Sequence, residues 1–468
     1  MNKNLNTRIL GAAAASWVLG LAAPQLSRAA VSDEDFNALK TMVQQLQQAH
    51  QQDQQQIQTL EQKLGETQLL ATNAVEQASA VALAQATPPP LARHNFTMVG
   101  DAEIQYAKTY GNGTHNGQML ADFAPIFLFQ ANQSILFEAG FDVTVNNGTS
   151  DGNYLVNGNQ GGTYTHDTGS STSVSMSFGQ MDYLVNDYVT FVGGYMLLPL
   201  GTYSERTAGW LNKIPDDPYG VEFLPGAGAG AQLRGSYPLG ESGQMLTYSA
   251  YCANGPSSVD GTGNAYTISG GNTIANLDLG GNVGIQNNGN TGNLHSAPSG
   301  GGRIGWFIPW GGAHKDLELG VSGQSGTWDD NNSYVWSACV LDAALHFGPN
   351  VEIKGEYIDT WYNTADAGTI RPWGAWVQAG YKLAGLNLDL PIISDIELIG
   401  RYDQENNGLG TVAGNNLGSD SRRYTMGYVY YITNTLLFEG DYEFIHNSII
   451  GGTPQPSNQL IFQLSYGF

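Results

Sequence analysis

Between Pro199 and Pro225 the chain reads PLGTYSERTAGWLNKIPDDPYGVEFLP. Charges of both signs, Glu205, Arg206, Lys213, Asp216 and Asp217, stand among side chains able to pack, Tyr203, Trp210, Leu211, Ile214, Tyr219 and Phe223. Opposed fixed charges across a narrow aqueous gap make a transverse field that orders water and favours polar solutes. That chemistry selects solutes and makes no bonds. A second set of charges alternates with apolar residues: Glu352, Lys354 and Glu356; Glu397, Arg401 and Asp403; Glu439, Asp441 and Glu443. Glu138 and Arg234 belong with them. Catalytic signatures are missing, since neither G-x-S-x-G nor H-E-x-x-H occurs and the eight histidines are scattered. His346 and His446 lie in strand-like runs with no nucleophile nominated beside them, so an enzyme is not expected. Asp329-Asp330-Asn331-Asn332 is rich enough in oxygen to hold Ca²⁺ but lacks a full loop motif. A solvated turn, and no cofactor, is the expectation there.

What must position these charges is a set of strands. Val351, Ile353 and Tyr357 alternate with the first triplet, Ile396, Leu398 and Tyr402 with the second, Phe438, Tyr442 and Phe444 with the third. A period of two puts charges on one face and apolar side chains on the other. Leu437 interrupts the charged face of its run. The pattern recurs from Phe96 to the end, predicting sixteen antiparallel strands joined by alternating short and long links. Phe96–Lys108 is the first, Arg422–Ile432 the fourteenth and Asn458–Phe468 the last. Asn254–Gly300 is read as the longest loop, with Asn276–Gly284 kept inside it. No helices are available to cover the apolar faces, and charges facing lipid would be destabilising, so the charged face must point into water. The expected fold class is an all-β transmembrane barrel of about sixteen strands preceded by an α-helical coiled coil. Barrels of sixteen to eighteen strands hold a water-filled channel, unlike eight-stranded ones.

Composition agrees. Only 13% of the 468 residues are charged, against about 25% in soluble proteins, while Gly numbers 61 and Tyr 24. Glycine without a triplet period, amid abundant aromatics, excludes collagen-like and disordered readings. A net charge of −23 argues against a nucleic-acid partner and, with so few cations, against a phosphate-selective ladder. Cys252 and Cys339, placed on non-adjacent strands, are expected to be free thiols.

Residues 1–29 read as a secretory signal, with Lys3 and Arg8 before an apolar stretch and Ser27-Arg28-Ala29 as the cleavage site. Residues 30–86 carry a heptad through Phe36, Leu39, Val43 and Leu46 to Ile57, Leu60 and Leu64, with His50 and Asp53 as polar seam positions. This predicts a coiled coil, hence a self-associating chain. Residues 87–95, beginning around Pro88-Pro89-Pro90, form a Pro-rich linker, and the barrel occupies 96–468.

The ending, with Phe462, Tyr466 and Phe468 on one face, resembles the C-terminal signal read by the insertion machinery of bacterial outer-membrane barrels. The second long link and third outward one, Pro199–Pro225, is similar to the third loop of general bacterial porins, which folds into the channel and narrows it. The length, the Pro199-Leu200-Gly201 turn and the final strand pair resemble sixteen-stranded phosphate-selective porins, and the heptad prefix resembles that of the sucrose porin. The resemblance implies a trimeric channel in the outer membrane of a Gram-negative bacterium, lipid around the barrel and the coiled coil in the periplasm. It implies passive diffusion of small hydrophilic solutes, with a constriction built from Glu205, Arg206, Lys213, Asp216, Asp217, Glu138, Arg234 and Arg401. The alternatives are a specific uptake channel for a sugar, phosphate, metal chelate or siderophore, or a tether whose rod holds peptidoglycan.

Overall fold

A computed structural model describes residues 96–110, 117–149, 168–203, 209–240, 242–258, 262–269, 272–275, 297–312, 314–387, 390–409, 411–412, 415–416, 418–449, 455–456 and 458–468. The secretory signal, coiled coil and linker, Asn276–Gly284, and Glu205 and Arg206 lie outside the described residues.

Sixteen strands make one sheet that closes on itself. They are β1 Phe96–Tyr110, β2 Gly117–Asn132, β3 Ile135–Thr149, β4 Thr168–Asn186, β5 Val189–Leu197, β6 Ala227–Leu239, β7 Gln244–Ala253 and β8 Ser299–Pro309. Then come β9 Lys315–Thr327, β10 Val335–Phe347, β11 Val351–Thr364, β12 Trp373–Lys382, β13 Ile396–Asn406, β14 Ser419–Tyr431, β15 Leu436–Ile449 and β16 Asn458–Gly467. Each pairs antiparallel with its neighbours in sequence, and β16 pairs with both β15 and β1. Closure leaves no sheet edge exposed, which is what a strand-built membrane span requires. The seam is sealed where the Phe468 N–H donates to the Gly100 carbonyl (3.0 Å) and the Gly100 N–H to the Phe468 carbonyl (3.1 Å).

The sequence alternation becomes an inside and an outside. On β13, Glu397, Ile399, Arg401 and Asp403 are buried while Leu398 between them is exposed. On β16, Ile461, Gln463 and Ser465 face in; Leu464 and Tyr466 are exposed, and Phe462 stacks on Phe438 of β15 at 6.1 Å. Ile104, Val174, Leu341 and Met426, on four different strands, are all at least half exposed. An outward face this apolar, around an inward face this charged, is the inverse of a soluble protein.

Several links hold structure that the sequence pattern did not reveal. Tyr266–Ser269 pairs with Asn272–Ala275 inside the long loop, and Thr411–Val412 pairs with Asn415–Asn416. Runs of two to four residues are too short to display a period. Between β12 and β13 lie the turn Leu383–Leu386 and the helical turn Pro391–Ser394, started by a proline whose fixed φ suits the first helical position. Cys252 and Cys339 are both free.

Candidate functional site: the charged inner face and the loop laid on it

The β5–β6 link leaves the wall at Leu198 and returns at Ala227. Its two described pieces, 198–203 and 209–226, are held on the inward faces of β9 to β15. The first anchor is Glu356 of β11. Its Oε1 accepts the Thr202 N–H (2.5 Å), the Thr202 hydroxyl (2.9 Å) and the Tyr203 N–H (2.9 Å). The preceding Gly201 N–H donates to Ser322 Oγ of β9 at 2.9 Å. Gly201 has φ +71°, a left-handed conformation that favours glycine, and a Cβ there would push on the Glu356 carboxylate. Tyr203 then sits edge-on to Trp376 of β12 and donates its hydroxyl to Asp217 Oδ1 at 2.6 Å, which ties the two pieces together. Burial and the Asp217 carboxylate beside it push the Tyr203 hydroxyl well above the usual phenol range.

Lys213, just after the helical turn Gly209–Asn212, is the second anchor. Its ammonium pairs with Glu352 of β11 and, at 3.0 Å, with Glu397 of β13. Burial works against the charge, but the two carboxylates outweigh it and hold the ammonium above the ordinary lysine range. The backbone here is left-handed, φ +65°. Such a conformation in a non-glycine residue costs on the order of 1–3 kcal/mol and persists where surrounding contacts over-determine it. Ile214 packs next to it on Ile399, Val429 and Leu437. The leucine that interrupts the charged face of β15 is therefore part of an apolar seat for the loop.

Arg423 of β14 is the third anchor. It pairs with Asp216 at 3.2 Å, donates to the Asp217 carbonyl and lies 4.4 Å over the Tyr219 ring. On the wall side it pairs with Asp403 (2.9 Å) and Glu443 (3.4 Å). Burial first, and then the neighbouring Asp216 charge, push the Asp217 carboxyl upward, against the opposing pull of the Tyr203 hydroxyl. Gly220, φ +87°, brings the loop so close to β12 that a Cβ would meet Gly374 Cα at 2.6 Å. Phe223 is fully buried, and Leu200 and Leu224 join Trp336, Val340, Ile358 and Tyr362 of β10 and β11.

Of the residues singled out in the sequence, Lys213, Asp216 and Asp217 lie on this inner face. Arg401 joins them, with its Nε 3.0 Å from Asp403, one of the Arg423 partners. Arg234 is elsewhere, paired with Asp182 of β4, and Glu138 of β3 stands opposite Gln180. Side-chain positions of Trp210 are outside the described set, as are Glu205 and Arg206. Sequence reasoning passed over Arg423. Its signal is the alternation of Tyr424, Met426 and Tyr428, which assigns residue 423 to the inner face; the adjacent Arg422 blurs that parity. The acidic turn takes a structural part: the Asp329 carboxylate accepts the N–H groups of Ser333 and Tyr334, both at 2.8 Å. Among the described residues no group of three acidic, His or Cys side chains is assembled to hold a metal.

No family model and no curated protein matches the chain. Solved structures similar in shape include OmpF of Salmonella typhi in complex with daunomycin, at 13% identity over 80% of this chain and 97% of that one (TM-score 0.48). An anion-selective porin from Comamonas acidovorans is similar at 11% identity over 80% and 100% of the two chains (TM-score 0.47). The outer membrane channel DcaP of Acinetobacter baumannii is similar at 12% identity over 81% and 99% (TM-score 0.46). At these identities and scores the likenesses carry no argument about what this chain does, which has to come from its own strands and side chains.

Proposed function

We propose that this chain is an outer-membrane channel of the porin type, through which small hydrophilic solutes and ions diffuse passively. One observation carries the reading: a closed sixteen-stranded sheet with charges buried on its inside and apolar side chains exposed on its outside. Lipid satisfies the outer face and water the inner one. The loop Pro199–Pro225 is proposed to narrow the lumen. Its three anchors on the inner wall support that; Lys213, Asp216 and Asp217 of the loop, with Arg401 and Arg423 of the wall, are the charges proposed for the constriction. Liposomes carrying the protein should swell in neutral sugars at rates that fall with sugar size. Equal rates in protein-free liposomes would refute passive diffusion.

The finer parts of the reading are proposals as well. The chain is a homotrimer, because a coiled coil cannot bury its seam alone. Full-length protein in mild detergent should then have the mass of three chains, and a one-chain mass would overturn it. Residues 30–86 lie in the periplasm, where peptidoglycan is within reach of a rod; pull-down with that segment tests the contact. Phe462, Tyr466 and Phe468 are read by the insertion machinery, so deleting Phe468 should lower the amount assembled in the membrane. The excess of carboxylates gives a weak preference for cations.

A further inference from the structure

A loop lying in water is expected to be held by polar groups, and the anchors on Glu356, Lys213 and Arg423 hold residues 202–217 that way. The two stems of the same loop are held differently. Leu200, just inside its start, and Leu224, just before its return, both belong to an apolar cluster that continues past the wall strands into other links. Ala265 joins it from the β7–β8 link, Trp328 from β9–β10, Ile370 from β11–β12 and Leu409 from β13–β14. In the antiparallel order of the sheet, these links and the β5–β6 loop all emerge at one end of the barrel. Trp328 and Ala265 are fully buried, and Trp328 stands edge-on to Tyr362 of β11 at 5.7 Å. Tryptophan is large enough to be seldom fully buried even in a core, and a plain surface link would leave it in water.

Hydrogen bonds tie the same links to one another. The Ser258 N–H donates to the Trp328 carbonyl (2.7 Å), and the Trp328 indole N–H to the Asn363 carbonyl (2.8 Å). The Ala265 N–H donates to Asp366 Oδ1 (2.7 Å), and the Ala365 N–H to the Gly263 carbonyl (2.9 Å). Gly368–Ile370 pairs back on Tyr362–Thr364 at the end of β11, which sets Ile370 into the cluster. The links at the outer end thus close on one another, and both stems of the lumen loop close on the same core. A packed core shifts between discrete arrangements instead of deforming smoothly, so a displacement at one edge is carried to the other.

We infer that the constriction is set from the outer end of the barrel: the links around Trp328 and the two stems of the Pro199–Pro225 loop move as one unit, so that loosening the links outside loosens the loop inside. The inference rests on the reading of that loop as the constriction and adds the place from which it is controlled. The coupling runs both ways, because an energetic linkage between two sites is reciprocal. A change at Leu224 therefore reaches the outer links as surely as a change at Trp328 reaches the stems.

Hydrogen–deuterium exchange of the full-length protein in detergent tests this without needing a current, since local opening speeds exchange in the segment that opens. Heat-dependent gel mobility shows that each variant's barrel is folded. Trp328→Ala should speed exchange about tenfold in the stems, 198–203 and 219–226, as well as in the links, 254–258 and 262–265. Leu224→Ala should likewise speed both groups. Trp328→Phe, which keeps a ring, should show the same pattern at about threefold and carries the test should the alanine variant not fold. Trp306→Ala, on the outward face of β8 and outside the cluster, should change neither group. In planar bilayers Trp328→Ala should add open-channel noise and a second, larger conductance level. No current from any protein would sink the channel reading alone, because exchange still reads the coupling. Exchange that quickens only in the mutated residue's own segment, or equally over the wall strands β1 to β4, would overturn the inference and leave the channel standing. So would coupled exchange with an unchanged trace, in a channel whose conductance does rise when residues 204–217 are deleted; if that deletion changes nothing, it is the constriction reading that fails.

Discussion

Replacing Lys213 by Met should unseat the loop. The side chain is 16% exposed and bridges Glu397, which is 1% exposed, to Glu352, which is 21% exposed. Removing one partner of a buried pair costs about 3–5 kcal/mol, because the carboxylate left behind stays out of water. The Tyr431 hydroxyl still donates to Glu397 at 2.5 Å, and Glu352 is partly hydrated, so the low end, about 3 kcal/mol, applies. At about 1.4 kcal/mol per decade, the ratio of unseated to seated loop should rise roughly a hundredfold. The left-handed strain at residue 213 remains in Met but is relieved in Gly, so Lys213→Gly should reseat part of what Met loses. Single-channel recording reads this as excess open-channel noise and a second, larger conductance level in Lys213→Met, less marked in Lys213→Gly and absent in Lys213→Arg. A Lys213→Met trace identical to wild type, from a barrel shown to be folded, would refute the claim that this ion pair holds the loop in the lumen.

Other outcomes follow from the same geometry. Glu356→Ala strands two backbone N–H groups and a hydroxyl of the loop, a loss of about 2–3 kcal/mol that should raise conductance noise; Glu356→Gln, which keeps an acceptor, should show less, and equal traces would count against the anchor. Because the Lys213 ammonium is held above the ordinary lysine range, its contribution is fully present below about pH 10.4 and lost as pH rises through the raised folded value. Noise from this anchor should therefore stay flat from pH 6 to about pH 10, and unseating with a midpoint near neutrality that Lys213→Met abolishes would contradict the assignment. Reversal potentials under a KCl gradient should show a weak cation preference that shrinks as salt rises and the Debye length falls; clear anion selectivity would overturn the reading of the interior.

How much of this was legible beforehand depends on the range of the interaction. Strands were legible because their signal is local: Leu398 and Tyr402 out, Glu397 and Arg401 in, repeated until closure. The first and last predicted strands match β1 and β16 to within two residues, while β14 begins three residues earlier than its pattern suggested. The Pro199–Pro225 segment stood out by composition, because a plain spacer does not carry Trp, Tyr, Phe and six charges. Its partners did not. Lys213 meets Glu352 and Glu397, 139 and 184 residues away, and no sequence period connects them. Leu437 looked like a flaw in an acidic strand until Ile214 was found packed on it. Likewise, Glu439 and Glu443 read alike in sequence and differ in the barrel: Arg423 of the neighbouring strand β14 pairs with Glu443, while one Glu439 oxygen has no hydrogen-bond partner among the described residues.

The central claim, a water-filled lumen narrowed by the loop, is tested most directly by one measurement in planar bilayers: the single-channel conductance of the full-length protein beside that of a variant lacking residues 204–217. Wild type should insert as discrete ohmic steps, and the shortened loop should raise the step severalfold in a barrel that still shows heat-dependent mobility. Steps of equal size in the two proteins would place the loop outside the conducting path, and no current from either folded barrel would contradict the channel itself.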